Sequence, residues 1–140
     1  KKKLRSAAVE AIGRGYKTFI SGGGLGFDLY AAAAILDLKR EYPYIRLHLA
    51  LPCMDYQRKW QPEQKKTLET IISQADKTVY VSEQAYFEGC MQLRNKYMVD
   101  HANLLIAAYN GSSGGTKNTI AYAEKSFIDI MLLSLEKVEE

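Results

Sequence analysis

The sequence has little of several things that would place it in a specialised class of protein. Its two cysteines, Cys53 and Cys90, lack Cys-x-x-Cys spacing, which excludes a disulfide-rich scaffold and predicts a protein of the reducing cytoplasm. No apolar run approaches the roughly 20 residues needed to cross a bilayer, so we expect no membrane partner. Only two histidines are present, and neither lies in a cluster of Cys, Asp or Glu, so the sequence predicts no metal site.

A large charge excess is also absent. The net charge is +3, and much of it comes from Lys1, Lys2 and Lys3, while the interior of the sequence is nearly balanced. This balance argues against a nucleic-acid partner, because such proteins usually carry a concentrated basic face. The 140 residues are 47% hydrophobic and 25% charged, which predicts a single globular domain over residues 1–140.

What the sequence does contain is a regular alternation of helical stripes and short apolar runs. Helical spacing of apolar residues marks five segments: Leu4–Ile12, Leu29–Leu36, Pro62–Ala75, Cys90–Ala102 and the stretch through Ile120 and Ala123. The predicted strands are Thr18–Ser21, Ile45–Leu51, Thr78–Val81, Leu104–Ala108 and Ile128–Leu133. Continuous apolar strands separated by helices predict an α/β, Rossmann-like fold, with a mostly parallel sheet of about five strands and helices on both faces.

The order of these elements begins with a helix. A helix that enters a strand of a parallel sheet is normally the return leg of a crossover from an earlier strand. Two expectations follow, namely that the sequence is a trimmed piece of a longer protein or that its sheet has one strand fewer than its relatives. The Lys at position 1 favours trimming.

Two glycine-rich loops, Gly22–Gly26 and Gly111–Gly115, follow predicted strands and precede predicted helices. The carboxyl ends of parallel strands meet at one edge, where open α/β folds bind ligands. Helix N-termini at such loops favour anions, and Thr116 stands where it can cap its helix or bind a phosphate oxygen. The spacing matches neither a Walker A loop nor Gly-x-Gly-x-x-Gly, so no dinucleotide-dependent dehydrogenase is implied.

Two charged residues near the first loop are candidates for ligand contacts. Asp28 lies in the first turn of the second helix, where it can satisfy free N–H groups or accept from a ligand hydroxyl, and both roles stay open. Arg94 can pair with phosphate or carboxylate, although a solvated surface arginine is the default. Loop aromatics at the same edge can stack on a base: Tyr56, Trp60, Tyr86 and Phe87.

Several segments together resemble the YpsA-like family of the SLOG (Smf/DprA–LOG) superfamily. They are Ser21–Ala32, Leu51-Pro52-Cys53 with Trp60, Val79–Ser82, Gly89–Asp100 and Gly114–Thr119. The resemblance runs from about Leu4 to Leu133. It implies a Rossmann-like fold with a site for a nucleotide-derived ligand, such as ADP-ribose or an NAD-related molecule. It also implies a first strand ending in a Thr-Gly-His-Arg loop beside Thr18–Ser21, and this chain lacks that segment.

Comparison with the LOG phosphoribohydrolases bears on catalysis. Those enzymes use an Arg in a Met-His-x-Arg-Lys segment and a Glu three residues after the Thr of a Gly-Gly-x-Gly-Thr loop. Here Arg94 is kept, but Thr119 stands where the Glu would be. A hydroxyl cannot replace a carboxylate that stabilises an oxocarbenium-like centre, so the comparison argues against an enzyme and predicts no catalytic residues.

The sequence therefore predicts a cytoplasmic binding module or sensor for a nucleotide-derived ligand, with no cofactor required. Its predicted ligand-binding residues are Ser21, Gly22, Gly23, Gly24, Gly26, Asp28, Arg94, Gly114, Gly115 and Thr116. Two alternatives remain: a nucleoside monophosphate N-glycosidase that recruits Asp55 or Glu88, and single-stranded DNA binding as in Smf/DprA. Whether the protein forms a homodimer is left open.

Overall fold

The computed structural model describes residues 2–109, 115–126 and 128–134, in which helices and strands alternate along the chain. The helices are α1 (Lys2–Gly13), α2 (Phe27–Leu38), α3 (Pro62–Gln74), α4 (Cys90–Asp100) and α5 (Gly115–Lys125). The strands are β1 (Thr18–Ser21), β2 (Arg46–Leu51), β3 (Lys77–Tyr80), β4 (Leu104–Tyr109) and β5 (Asp129–Ser134). Every predicted element is present, and the α/β prediction is confirmed.

Element boundaries differ from the predictions by one or two residues. β3 begins one residue earlier than predicted, although the N–H of Val81 still donates to the carbonyl of Leu51 at 2.8 Å. α4 ends at Asp100, because the next residue, His101, leaves the helical conformation at φ −106° and ψ 17°. α3 begins at Pro62, which suits a first turn whose N–H needs no intrahelical acceptor.

The five strands are all parallel to the strands they pair with, but they form two hydrogen-bonded sets instead of one sheet. β1, β2 and β3 form one set in that order, and β4 and β5 form the other. The expected continuous sheet is therefore interrupted between β1 and β4, among the described residues. The interruption is an apolar groove of about 420 Å³ lined by both strands.

Crossover handedness assigns the helices to two faces. The β1–α2–β2 and β2–α3–β3 units step in one direction, so right-handed crossovers place α2 and α3 on the same face. α1 packs beside α2, where Arg5 bonds Asp37 at 3.3 Å and Glu41 at 2.9 Å. α4 and α5 pack against each other, and their units step the other way, which places them on the opposite face.

The core is centred on β2, which lies between β1 and β3. Leu47, Leu49 and Leu51 of this strand are fully buried and pack with apolar residues of α2 and α3. A strand covered on both faces needs a continuous apolar sequence, and β2 has one apart from the exposed Arg46 at its start and His48. The carboxyl end of β2 lies beside the carboxyl end of β1, where the first glycine loop begins.

Candidate functional site

The loop between β1 and α2, residues 22–26, is folded back onto the first turn of α2. Ser21 is buried, and its hydroxyl donates to the carbonyl of Asp28 at 2.9 Å and accepts from the N–H of Gly23 at 3.4 Å. The N–H of Gly24 donates to the Asp28 carboxylate at 3.0 Å. These bonds fix the loop, so two predicted ligand-binding amides, those of Gly23 and Gly24, already have acceptors within it.

The N–H groups at the start of α2 differ in whether the helix supplies them with an acceptor. The N–H groups of Leu29 and Tyr30 bond to the carbonyls of Gly24 and Gly26 and close the first turn of α2. The two residues that begin the helix, Phe27 and Asp28, come too early in it for an acceptor four residues back. The helix N-terminus therefore presents donors and the positive end of its dipole at the carboxyl edge of β1.

Arg94 is buried against this loop, at 7% exposure, so the default of a solvated surface arginine is wrong. It projects from α4 and donates from Nη1 to the carbonyl of Gly22 and from Nε to the side-chain oxygen of Asn95 at 2.8 Å. Its Nη2 lies 3.9 Å from the sulfur of Met91. A guanidinium, which stays charged even when buried, is thereby held at the base of the glycine loop.

Three glycines of the loop lie close against neighbouring side chains. A Cβ added at Gly22 would lie 2.7 Å from Cζ of Arg94, and one at Gly23 would lie 2.8 Å from the hydroxyl of Tyr56. A Cβ at Gly24 would lie 2.8 Å from the Asp28 carboxylate. A Cβ added at Gly26 would meet no atom within 4 Å, but the φ of 79° at this residue is a conformation that other residues rarely adopt.

Tyr56, in the loop between β2 and α3, has a role that the sequence did not reveal. It was a candidate for base stacking, but its ring is buried, and its hydroxyl donates to the carbonyl of Gly23 at 2.9 Å. The ring also meets Trp60 edge to face, with centroids 5.4 Å apart. Burial raises the pKa of Tyr56 above its usual value, which keeps the hydroxyl a neutral donor.

The carboxyl group of Asp28 is subject to opposing influences. Burial raises its pKa above the ordinary 3.8, while the charge of Arg94 and the hydrogen bond from Gly24 act to lower it. The net direction is upward, because desolvation outweighs the other two. Asp28 and Arg94 thus form a partly desolvated pair of opposite charges on either side of the glycine loop.

The second glycine-rich loop is described only in part. Gly114 and the four residues before it lie outside the described residues, while Gly115 and Thr116 form the start of α5. α5 follows β4 in a parallel crossover to β5, so its N-terminus lies at the carboxyl end of β4, as predicted. That both loops hold one ligand stays a prediction.

Other candidate residues lie in structural positions. Thr119, at the position of the LOG glutamate, is in the second turn of α5. Asp55 accepts from the N–H of Tyr86 at 2.7 Å and lies 3.6 Å from Arg58, so it ties two loops together. In the described part of the chain, no group of three His, Cys, Asp or Glu side chains could hold a metal ion.

The two cysteines also meet near the site. Cys53, after β2, and Cys90, at the start of α4, are both fully buried, and their Sγ atoms are 3.7 Å apart. Burial and the contact with Cys90 raise the pKa of Cys53 to about 11. A thiol that ionises so weakly is a poor nucleophile, so the burial of Cys53 favours a structural position for this residue.

Comparison with known proteins identifies the family. The YpsA model, described as the YspA SLOG family, matches residues 1–137. The chain belongs to this SLOG family. The SPbeta prophage-derived protein YoqJ of Bacillus subtilis is 32% identical over 147 residues, covering 96% of this chain and 86% of YoqJ. UPF0398 proteins of Bacillus thuringiensis and Bacillus cereus are 27% identical over 126 residues, covering 89% of this chain and 68% of theirs.

SLOG membership agrees with a Rossmann-like fold and with binding of a nucleotide-related molecule, and it specifies no ligand. Among the helices that the structure describes, none combines the length and apolar character needed to cross a bilayer.

Proposed function

We propose that the carboxyl edge of β1 and β4 binds the phosphate groups of a nucleotide-derived ligand, such as ADP-ribose, an NAD-related molecule or a nucleoside phosphate. The observation that carries the proposal is the burial of Arg94 beneath the glycine loop that precedes α2. A buried cation beside a helix N-terminus favours an anion, and a loop without side chains lets that anion approach the backbone.

The residues around the first glycine loop have different roles in this proposal. Arg94 neutralises the phosphate charge from below the loop, and the N–H groups that begin α2 and α5 bind its oxygens. Asp28 accepts from a ribose hydroxyl. A carboxylate would repel the phosphate, so a neutral donor elsewhere on the ligand is its better partner. Ser21 acts through the loop, because its hydroxyl accepts from Gly23 within the loop and donates to the carbonyl of Asp28 in α2. We place this binding module in the cytoplasm and assign it no catalytic residue.

Isothermal titration calorimetry of the complete protein tests the proposal, with ADP-ribose, NAD, AMP and a cyclic nucleotide as separate probes. We expect at least one of them to bind. Absence of heat from all four up to millimolar concentration would overturn the proposal. Free base released from AMP, detected by chromatography, would instead favour the N-glycosidase alternative, and a gel shift at low salt would favour single-stranded DNA binding.

A pair of variants at one position separates charge from size. Gly115→Asp adds a carboxylate at the first residue of α5, where it suits the helix dipole but repels a bound phosphate. We expect it to weaken binding by more than about tenfold while the protein stays folded. Gly115→Asn has nearly the same size and no charge, so it should lose much less affinity. Equal losses would mean that sterics, not charge, explain the effect.

A further inference from the structure

Cys53 and Cys90 are 37 residues apart in the chain and meet in the fold. Both are free thiols, both are fully buried, and their Sγ atoms are 3.7 Å apart. A disulfide has an S–S length of about 2.05 Å, so the two sulfurs need to approach each other by only about 1.7 Å. The pair is therefore close to the geometry of a disulfide without being bonded.

Two hydrogen bonds join the segments that carry these cysteines. The N–H of Met54 donates to the carbonyl of Gln84 at 3.3 Å, and the N–H of Tyr86 donates to the carboxylate of Asp55 at 2.7 Å. Both bonds connect the loop after β2 to the loop that leads into α4. The two sulfurs are thus kept next to each other by contacts that do not involve the sulfurs themselves.

The two thiols differ in their surroundings. Cys90 is the first residue of α4, where the free N–H groups and the positive end of the helix dipole favour a negatively charged sulfur. Burial and the contact with Cys90 raise the pKa of Cys53 to about 11, so Cys53 keeps its proton near neutral pH. Of the pair, Cys90 is therefore the better nucleophile, and Cys53 is placed to supply the second sulfur.

Both thiols lie just beneath the surface. Gly89 and Met91, on either side of Cys90, are exposed, and so is Met54, which follows Cys53. A small local opening admits a molecule of about the size of water, whereas a large disulfide such as oxidised glutathione needs a much wider one. The oxidant that suits this pair is a small peroxide.

The segments that carry the two cysteines also hold the first glycine loop. Arg94, one turn after Cys90 in α4, donates to a carbonyl of this loop, and Tyr56, three residues after Cys53, donates to the next carbonyl. A covalent bond between the two segments would restrict the motion of both side chains. The glycine loop, which they hold from two sides, would then open less often.

We propose that Cys53 and Cys90 form a disulfide in the presence of hydrogen peroxide, and that this bond clamps the first glycine loop. The Cys90 thiolate attacks one peroxide oxygen, so that an S–O bond forms, the O–O bond breaks and hydroxide leaves. The Cys53 sulfur then attacks the resulting sulfenic sulfur, so that the S–S bond forms, the S–O bond breaks and a second hydroxide leaves.

The reaction balances without a further reactant. The protons of the two thiols convert both hydroxides into water, so two thiols and one peroxide give one disulfide and two waters. Each sulfur loses one electron, and the peroxide gains two. In a reducing compartment such a disulfide is transient and serves redox sensing. The inference goes beyond the proposed function and does not depend on it.

Peptide mapping by mass spectrometry tests the proposal on the complete protein, treated with about one equivalent of hydrogen peroxide in the absence of any ligand. We expect a linked pair of tryptic peptides, one with Cys53 and one with Cys90, about 2 Da lighter than the two free peptides together. Mapping also separates this product from oxidation of the exposed Met54 and Met91. Amide hydrogen exchange of the glycine loop should be at least about threefold slower in the oxidised protein.

Two single variants separate the roles of the thiols. Cys53→Ala leaves the attacking thiol without a partner, so the reaction should stop at a sulfenic acid on Cys90, a gain of about 16 Da that dimedone traps. Cys90→Ala removes the attacking thiol, so Cys53 should remain unoxidised under the same conditions.

Four results would overturn the inference. Absence of the linked peptides from the treated, unsubstituted protein would mean that the thiols are only packed together. A link between differently isotope-labelled molecules would place the bond between two copies of the chain. Oxidation of Cys53 in Cys90→Ala would contradict the assigned roles. Exchange of the glycine loop that oxidation leaves unchanged would mean that the bond does not clamp it.

Discussion

Two groups of glycines in this protein serve different purposes. At the end of α1, a Cβ on Gly13 or Gly15 would meet no atom within 4 Å, so these residues only allow the chain to turn. In the loop after β1, a Cβ on Gly22 or Gly23 would collide with Arg94 or Tyr56. The comparison shows that glycine density alone does not mark a site. The two groups differ in their surroundings, because side chains pack against the glycines of the second group and not against those of the first.

The largest effect should come from removing the side chain that packs against the loop. Arg94→Ala leaves a cavity and an unpaired carbonyl at Gly22, so we expect the free energy of unfolding to fall by about 2–4 kcal/mol. Urea denaturation measures it. The control is Arg58→Ala, whose side chain is 59% exposed and whose loss should cost less than about 1 kcal/mol. Equal costs would contradict the buried role of Arg94.

The glycine comparison can be tested directly with one methyl group. Gly22→Ala forces that methyl group against the buried guanidinium and should destabilise the protein by about 1–3 kcal/mol. Gly13→Ala, where space is open, should change stability by no more than about 0.5 kcal/mol. Thermal unfolding of the two variants side by side decides the matter. A harmless Gly22→Ala would show that the loop has more room than the structure indicates.

A smaller effect should follow from deleting one hydroxyl. Tyr56→Phe removes the donor to the carbonyl of Gly23 and should cost about 1–2 kcal/mol by chemical denaturation. Tyr44→Phe is the matched control, because that residue is 54% exposed and the change should be nearly neutral. If both variants behave alike, the hydroxyl of Tyr56 does not hold the loop.

The smallest effect concerns pH, and two carboxyl groups should act in opposite directions. The carboxylate of Asp76 accepts hydrogen bonds from Lys39 and from the N–H of Leu47, and these contacts lower the pKa of Asp76. The stability that Asp76 adds is therefore present above its unfolded pKa and is lost as pH falls through its folded pKa. The pKa of Asp28 is raised, so the native state binds its proton more tightly. Asp28 therefore favours folding less as pH rises from its unfolded pKa through its folded pKa.

Denaturation of Asp28→Asn and Asp76→Asn between pH 3 and pH 7 separates these contributions. Relative to the unchanged protein, Asp76→Asn should lose its destabilising effect as the solution becomes acidic. Asp28→Asn should show its most favourable relative stability at the upper end of the range. Parallel pH profiles for the two variants would contradict the assigned environments.

The sequence predicted the elements well because apolar periodicity is a local property. β1 was placed without error, and the other elements were found to within a few residues. It also predicted that Asp28 lies in the first turn of a helix beside the glycine loop, as it does in α2. It could not predict that Arg94 is buried, because that depends on α4 meeting the first glycine loop, where Gly22 is 72 residues away along the chain. The same limit applies to Tyr56, whose partner, Gly23, is distant in sequence.

The division of the strands into two sets was also beyond local patterns, since hydrogen-bonding partners are set by tertiary packing. The sequence did show that a helix came first and that a strand was expected before it. The structure adds the groove between β1 and β4 and its lining.

The most direct test of the central claim is an NMR titration of the complete protein with ADP-ribose, following the backbone amides. We expect saturable shifts that are largest at Phe27 and Asp28, in the first turn of α2, and at Gly115 and Thr116, in the first turn of α5. Saturable shifts confined to other surfaces, with these four amides unchanged, would contradict it.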